Sequence, residues 1–146
     1  MLDILHRIAV TSSPDDVYAA LTTRVGLAGW WAVDTSGTGS VGDVLEFRFE
    51  LGDIDMQVVE LVPGQRVLWQ VVGGPDEWIG THVSFDLTQD GDWTVVLFAH
   101  TGWVAPVEFM HHCSTKWALF LMSLKELVET GKGSPEPHDV KLGNWG

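Results

Sequence analysis

The chain has 146 residues, 45% of them hydrophobic, and a net charge of −12 from 8 basic and 20 acidic side chains. That length fits one domain around one core, and that charge repels a nucleic-acid backbone and gains nothing at an anionic membrane surface. No apolar run is long enough to span a membrane, no basic segment followed by an apolar one marks a secretion signal, and the single cysteine, Cys113, has no partner in the chain, so a cytoplasmic protein is expected.

The first element is a strand over Ile4 to Val10, with Ile4, His6, Ile8 and Val10 on one face and Leu5, Arg7 and Ala9 on the other. Ser13 then offers an N-cap, Pro14 suits the first helical position, and Asp15 and Asp16 complement a helix N-terminus. Val17, Ala20 and Leu21 give that short helix its buried stripe. A second short helix is expected from Val25 to the pair Trp30-Trp31. Thr35 to Gly42, rich in Gly, Ser and Thr, reads as a loop.

Alternating runs follow at Asp43–Leu51, Ile54–Val62, Arg66–Val72, Thr81–Thr88 and Trp93–Thr101. Pro63-Gly64, Gly73-Gly74-Pro75-Asp76 and Asp90-Gly91 separate them, and short turns between successive strands imply an antiparallel sheet. From Pro106 to Glu129 the period changes. Met110, Cys113, Trp117, Phe120, Leu121, Leu124, Leu127 and Val128 recur at steps of three and four, the spacing of one helix face. Residues 131–146, with Gly and Pro throughout, end the helix. They are either disordered or laid along the body with Trp145 as an anchor. One domain over 1–130 and a tail over 131–146 is the expected organisation.

Four segments in this order resemble a known family: Ser13 to Thr22, Gly26 to Trp31, His100 to Trp103, and Lys116 to Gly131. They resemble the helix-grip fold of the START (SRPBCC) superfamily. More narrowly, they are similar to bacterial homologues of the C-terminal domain of the activators of heat-shock protein 90 ATPase. The resemblance implies an α+β fold in which a curved antiparallel sheet wraps around a long C-terminal helix, with two short helices between the first and second strands. Lipid carriers, hormone receptors, polyketide cyclases, hydroxylase domains and co-chaperone domains share that fold, so function rests on the site.

The expected site is the space between sheet and long helix. Strand parity turns Phe47, Phe49, Trp69, Val71, Val83, Phe85, Phe98 and His100 toward it. Met110, Trp117 and Leu121 face it from the helix, and Trp30 or Trp31 forms the rim. An apolar space with few polar groups suits a small apolar or aromatic molecule, with His100 fixing its orientation. An enzyme of the cyclase or hydrolase type is the alternative, and it requires an acid or base from His100, His82 or Glu60. A protein-interaction module, including a co-chaperone or a homodimer, is the third reading. Its surface is the apolar outer face of the last strand, Trp93, Val95 and Leu97, because the outer side of the long helix, with Lys116, Lys125 and Glu126, reads as solvated. No cofactor and no metal are expected: His111-His112-Cys113 are consecutive, and consecutive helical residues point about 100° apart.

Overall fold

A computed structural model describes residues 2–146. Strand β1 (Leu2–Val10) leads into helix α1 (Pro14–Thr22) and helix α2 (Arg24–Trp30). Then come β2 (Asp34–Ser36), β3 (Val44–Phe49), β4 (Gly52–Val62), β5 (Arg66–Gly73), β6 (His82–Asp90), β7 (Trp93–Trp103) and helix α3 (Glu108–Thr130). The strands form one antiparallel sheet in the order β1-β7-β6-β5-β4-β3-β2. Each step from β2 to β7 joins neighbours through a turn, and β1 closes the sheet beside β7. This is the helix-grip architecture expected from the four segments.

The helices start and stop for local reasons. Ser13 Oγ accepts from Asp16 N at 3.1 Å, and Pro14 follows it, so α1 is capped as read. Its buried residues are Val17, Ala20 and Leu21. Thr23 Oγ1 accepts from Gly26 N at 3.0 Å and starts α2 one residue earlier than expected. α3 begins at Glu108 because Val107 is extended. It ends at Gly131, which takes the left-handed conformation at φ 90° that a side chain disfavours.

Two differences from the sequence reading have simple causes. Thr35 and Ser36, expected to begin a loop, belong to strand β2, which pairs Thr35 with Phe47. Three residues are too few to show alternation. Lys116 and Lys125 are not merely solvated. Lys116 Nζ bonds Asp139, the Val140 carbonyl and the Gly146 carbonyl, while Lys125 Nζ bonds the Ala9 carbonyl at 2.7 Å and lies 5.4 Å from the Trp93 ring centre. A helix face reads as solvated when the segments that fold back on it are distant in sequence.

The tail lies along the body. Ser134 N donates to Ser123 Oγ at 2.7 Å, Glu136 N to the Trp31 carbonyl at 2.8 Å, and Val33 N to the Glu136 carbonyl at 3.0 Å. Gly133 passes so close that a Cβ there would meet the Gly29 carbonyl at 2.5 Å. Trp145 packs edge-on to Phe109 and His112, with centroids at 6.1 and 5.6 Å. The outer face of β7 is not covered by β1, which pairs with its edge, and Leu97 there is 49% exposed. Among the described residues no helix is long and apolar enough to cross a membrane.

Candidate functional site

The space between sheet and helix is filled by aromatic rings. Trp31 sits at its centre, stacked on Trp69 at 6.0 Å and 7°, with Phe47 at 4.3 Å and Trp117 at 5.1 Å. Trp30 stacks behind it at 6.0 Å and donates Nε1–H to the Ala20 carbonyl. Phe85 packs edge-on to Trp69 and to Phe98, and Phe98 meets Trp117 at 4.6 Å. Trp30, Phe47, Trp69, Val71, Val83, Phe85, Phe98 and Leu121 are all buried within this core. Met110 is half-buried against its edge. These nine side chains belong to or pack against one core cluster, and none of them lines the cleft at its end. Large rings pack around Trp117.

The opening lies at one end of that core. A cleft of about 980 Å³ runs between the β3–β4 turn, the loop after β5, the N-terminal half of α3 and the tail. Of the thirteen residues expected at a site, Trp31, Phe49 and Trp117 line it. They are joined by Trp78, Phe109, Phe120 and Trp145, so its walls are largely aromatic. Trp78 was missing from the sequence reading because it lies in an irregular loop with no period. Its indole is nevertheless buried, stacked on Trp117 at 5.9 Å and 17°, and it donates to Cys113 Sγ at 3.4 Å. A tryptophan among Gly, Pro and acidic residues was the available signal.

Polar groups gather on the tail side. Lys116 holds Asp139, and Lys141 bonds the same carboxylate at 2.7 Å. Burial opposes ionisation of Asp139, but the bonds from Lys116 and Lys141 outweigh it and keep that carboxyl below its ordinary value of 3.8. Glu136 shows the reverse balance. Burial raises its pKa, and the bond from Glu50 N, at 3.3 Å, offsets only part of the effect. Burial likewise pushes the Cys113 thiol up to about 12, so it is a cleft-wall sulfur and not a nucleophile.

His100 is not at the cleft mouth. It is fully buried, and both ring nitrogens are engaged. Trp117 Nε1–H donates to Nδ1 at 3.1 Å, so the ring proton sits on Nε2 and is directed to Thr81 Oγ1 at 2.8 Å. Thr81 in turn donates to the Trp78 carbonyl at 2.5 Å. The imidazole is therefore a neutral strut tying β7 to α3 and to the loop that carries Trp78. Burial lowers its pKa to about 3, and it has neither a free lone pair nor a path to a ligand. The other two acid–base candidates also lie away from the cleft. His82 shares the outer face of β6 with Asp86, and Glu60 is bound to Arg66 at 2.7 Å. His6 and Ser114 do meet, but His6 Nε2 is 3.0 Å from the Ser114 carbonyl. Donating there leaves it no lone pair for the hydroxyl at 3.3 Å. Among the described residues no group of three His, Cys, Asp or Glu side chains is placed to hold a metal ion.

Comparison with known proteins gives a consistent picture. Residues 11–129 match the family model described as Activator of Hsp90 ATPase homolog 1-like protein. A search of curated proteins found no match. Among solved structures, the Aha1 dimer from Colwellia psychrerythraea is 47% identical with a TM-score of 0.86, covering 91% of this chain and 100% of that one. A Staphylococcus saprophyticus protein is 17% identical with a TM-score of 0.76, covering 90% of this chain and 95% of that one. CalU16 from Micromonospora echinospora is 22% identical with a TM-score of 0.70, covering 92% and 78%. The last two share the fold alone. The tail beyond residue 129 lies outside the family match.

Proposed function

Because the chain belongs to the Activator of Hsp90 ATPase homolog 1-like family, a fold with many uses, we propose from its cleft that it binds a small apolar or aromatic molecule. One observation carries this reading: an opening of about 980 Å³ with walls of Trp31, Phe49, Trp78, Phe109, Trp117, Phe120 and Trp145. Pockets for small ligands run to roughly 300–1,000 Å³ and combine apolar walls with a few polar groups. Here Phe49, Phe109 and Trp145, which keep accessible surface, supply apolar contact at about 25 cal/mol per Å² buried, over a floor formed by Trp31 and Trp117. Lys116, Glu136 and Asp139 take the orienting role first expected of His100. In this reading the protein is cytoplasmic and non-catalytic, and it leaves nucleic acid and membranes alone.

An apolar fluorescent probe tests it. The probe should bind at about one site per chain, quench tryptophan emission and raise the melting temperature, since a ligand of the native state stabilises it by mass action. Cys113→Phe puts a ring into the cleft wall and should weaken binding at least about tenfold, while overpacking costs about 1–3 kcal/mol of stability. Far-UV circular dichroism shows whether that variant is folded. Absence of any saturable probe binding to the wild type would sink the proposal.

The 47% identity to a protein solved as a dimer supports a second element of the reading. We propose that this chain also pairs with a copy of itself.

A further inference from the structure

The outer face of the sheet carries a row of side chains that its own chain leaves incomplete. Register places Arg7 of β1 beside Leu97 of β7, Leu97 beside Asp86 of β6, and Asp86 beside Arg66 of β5. All four sit on the side away from the helices. Leu97 is 49% exposed, and Leu5, diagonal to it, is 69% exposed. Arg66 already bonds two carboxylates, Asp86 at 2.7 and 2.8 Å and Glu60 at 2.7 Å. That cluster has one positive and two negative charges. Arg7 is exposed and, among the described residues, has no ion-pair partner.

From this row, and resting on the self-association proposed above, we infer that the outer face of β1, β7 and β6 is where two copies meet, with Leu97 at the two-fold axis. A chain of net charge −12 repels its copy over most of its surface. Contact is least costly where local charge cancels, and Arg7, Arg66, Asp86 and Glu60 cancel. The charges also select the orientation. β1 and β6 flank β7 on opposite sides, each about 4.8 Å away. A two-fold axis running nearly along β7, between the faces, sets Leu97 against Leu97 of the partner subunit. It brings Arg7 of each copy over Asp86 of the partner subunit, completing the cluster around Arg66. An axis running across the strands would instead set Arg7 against Arg7 and Asp86 against Asp86. Isologous contact of this kind is self-complementary by construction. Leu5, Val95, Leu97 and Ala99 supply the apolar centre, and the paired charges supply the rim.

Light scattering on a size-exclusion column, followed by sedimentation equilibrium, tests the inference on the full chain. The wild type should be a dimer. Leu97→Glu should be a monomer with an unchanged circular dichroism spectrum. Arg7→Glu bonds nothing within its own chain, so it should fold normally and raise the dissociation constant at least about tenfold. Dimerisation of either folded variant with the wild-type constant overturns this interface and leaves self-association standing. A wild type that remains monomeric at every attainable concentration overturns the self-association itself. If Leu97→Glu does not fold, Arg7→Glu decides.

Discussion

His100 shows how one residue changes role between a strand pattern and a packed core. Its parity turns it inward, and that much is correct. Inward, however, means against Trp117, Thr81 and Trp78 rather than against a ligand. A buried imidazole with two engaged nitrogens resists protonation. Its pKa falls from 6.5 to about 3, so the unfolded chain takes up a proton that the native state refuses. The resulting stability is complete above 6.5, shrinks as pH falls, and is gone near 3. Its size over that interval is on the order of 5 kcal/mol. Urea denaturation between about pH 7.5 and about pH 4 should show His100→Gln losing less stability on acidification than the wild type. At the upper pH the variant should be weaker by about 1–3 kcal/mol, the cost of unpaired partners. Parallel curves for the two proteins would mean that His100 does not carry the acid sensitivity.

At the level of elements, the tail and α3 form one unit around Lys116. The Lys116 side chain is 14% exposed and its ammonium meets Asp139 and two tail carbonyls, while the Asp139 side chain is 4% exposed. The tail is thereby a wall of the cleft, which includes Lys141, Asn144 and Trp145. Because bonds from Lys116 and Lys141 hold the Asp139 pKa below 3.8, this clasp is full above that value and is lost as pH falls through the lowered one. Lys116→Met keeps most of the apolar stem and removes the ammonium, which lies 5.2 Å over the Phe120 ring. It should cost about 1–3 kcal/mol, less than a fully orphaned buried carboxylate because Lys141 remains. Limited proteolysis should then cut within residues 139–146 faster while the body stays intact. An unchanged cleavage rate would show that Trp145 and the backbone bonds hold the tail without Lys116.

For the whole molecule, charge is the property that acts at a distance. With 20 acidic and 8 basic residues, the surface field is negative, and five of the cations are occupied in ion pairs: Arg48, Arg66, Lys116, Lys125 and Lys141. No basic face remains to neutralise a phosphate backbone. Fluorescence anisotropy with single- and double-stranded DNA at low ionic strength should therefore show no saturation. Micromolar binding that weakens as salt rises would contradict this account of the surface.

The sequence by itself determined every element except β2, and the cap of α1. Alternation, turn residues, Ser13-Pro14 and the three-four spacing of Trp117, Phe120, Leu121 and Leu124 are local signals, and local sterics and hydrogen bonding act on them directly. It also determined which side chains turn inward, since strand parity is a property of the backbone. Whether inward-facing rings touch or leave a space depends on volumes summed over β3, β5, β6, β7, α2 and α3, and no local pattern carries that sum. The tertiary structure decided that Trp31, Trp69 and Trp117 fill the centre, and that the opening lies at its end. It also brought Trp78 and the tail to that opening, although neither has a period that a sequence can display. For the same reason, the row Arg7–Leu97–Asp86–Arg66 is invisible along the chain. Its members lie as far apart as Arg7 and Leu97, and only the register of four strands makes them neighbours.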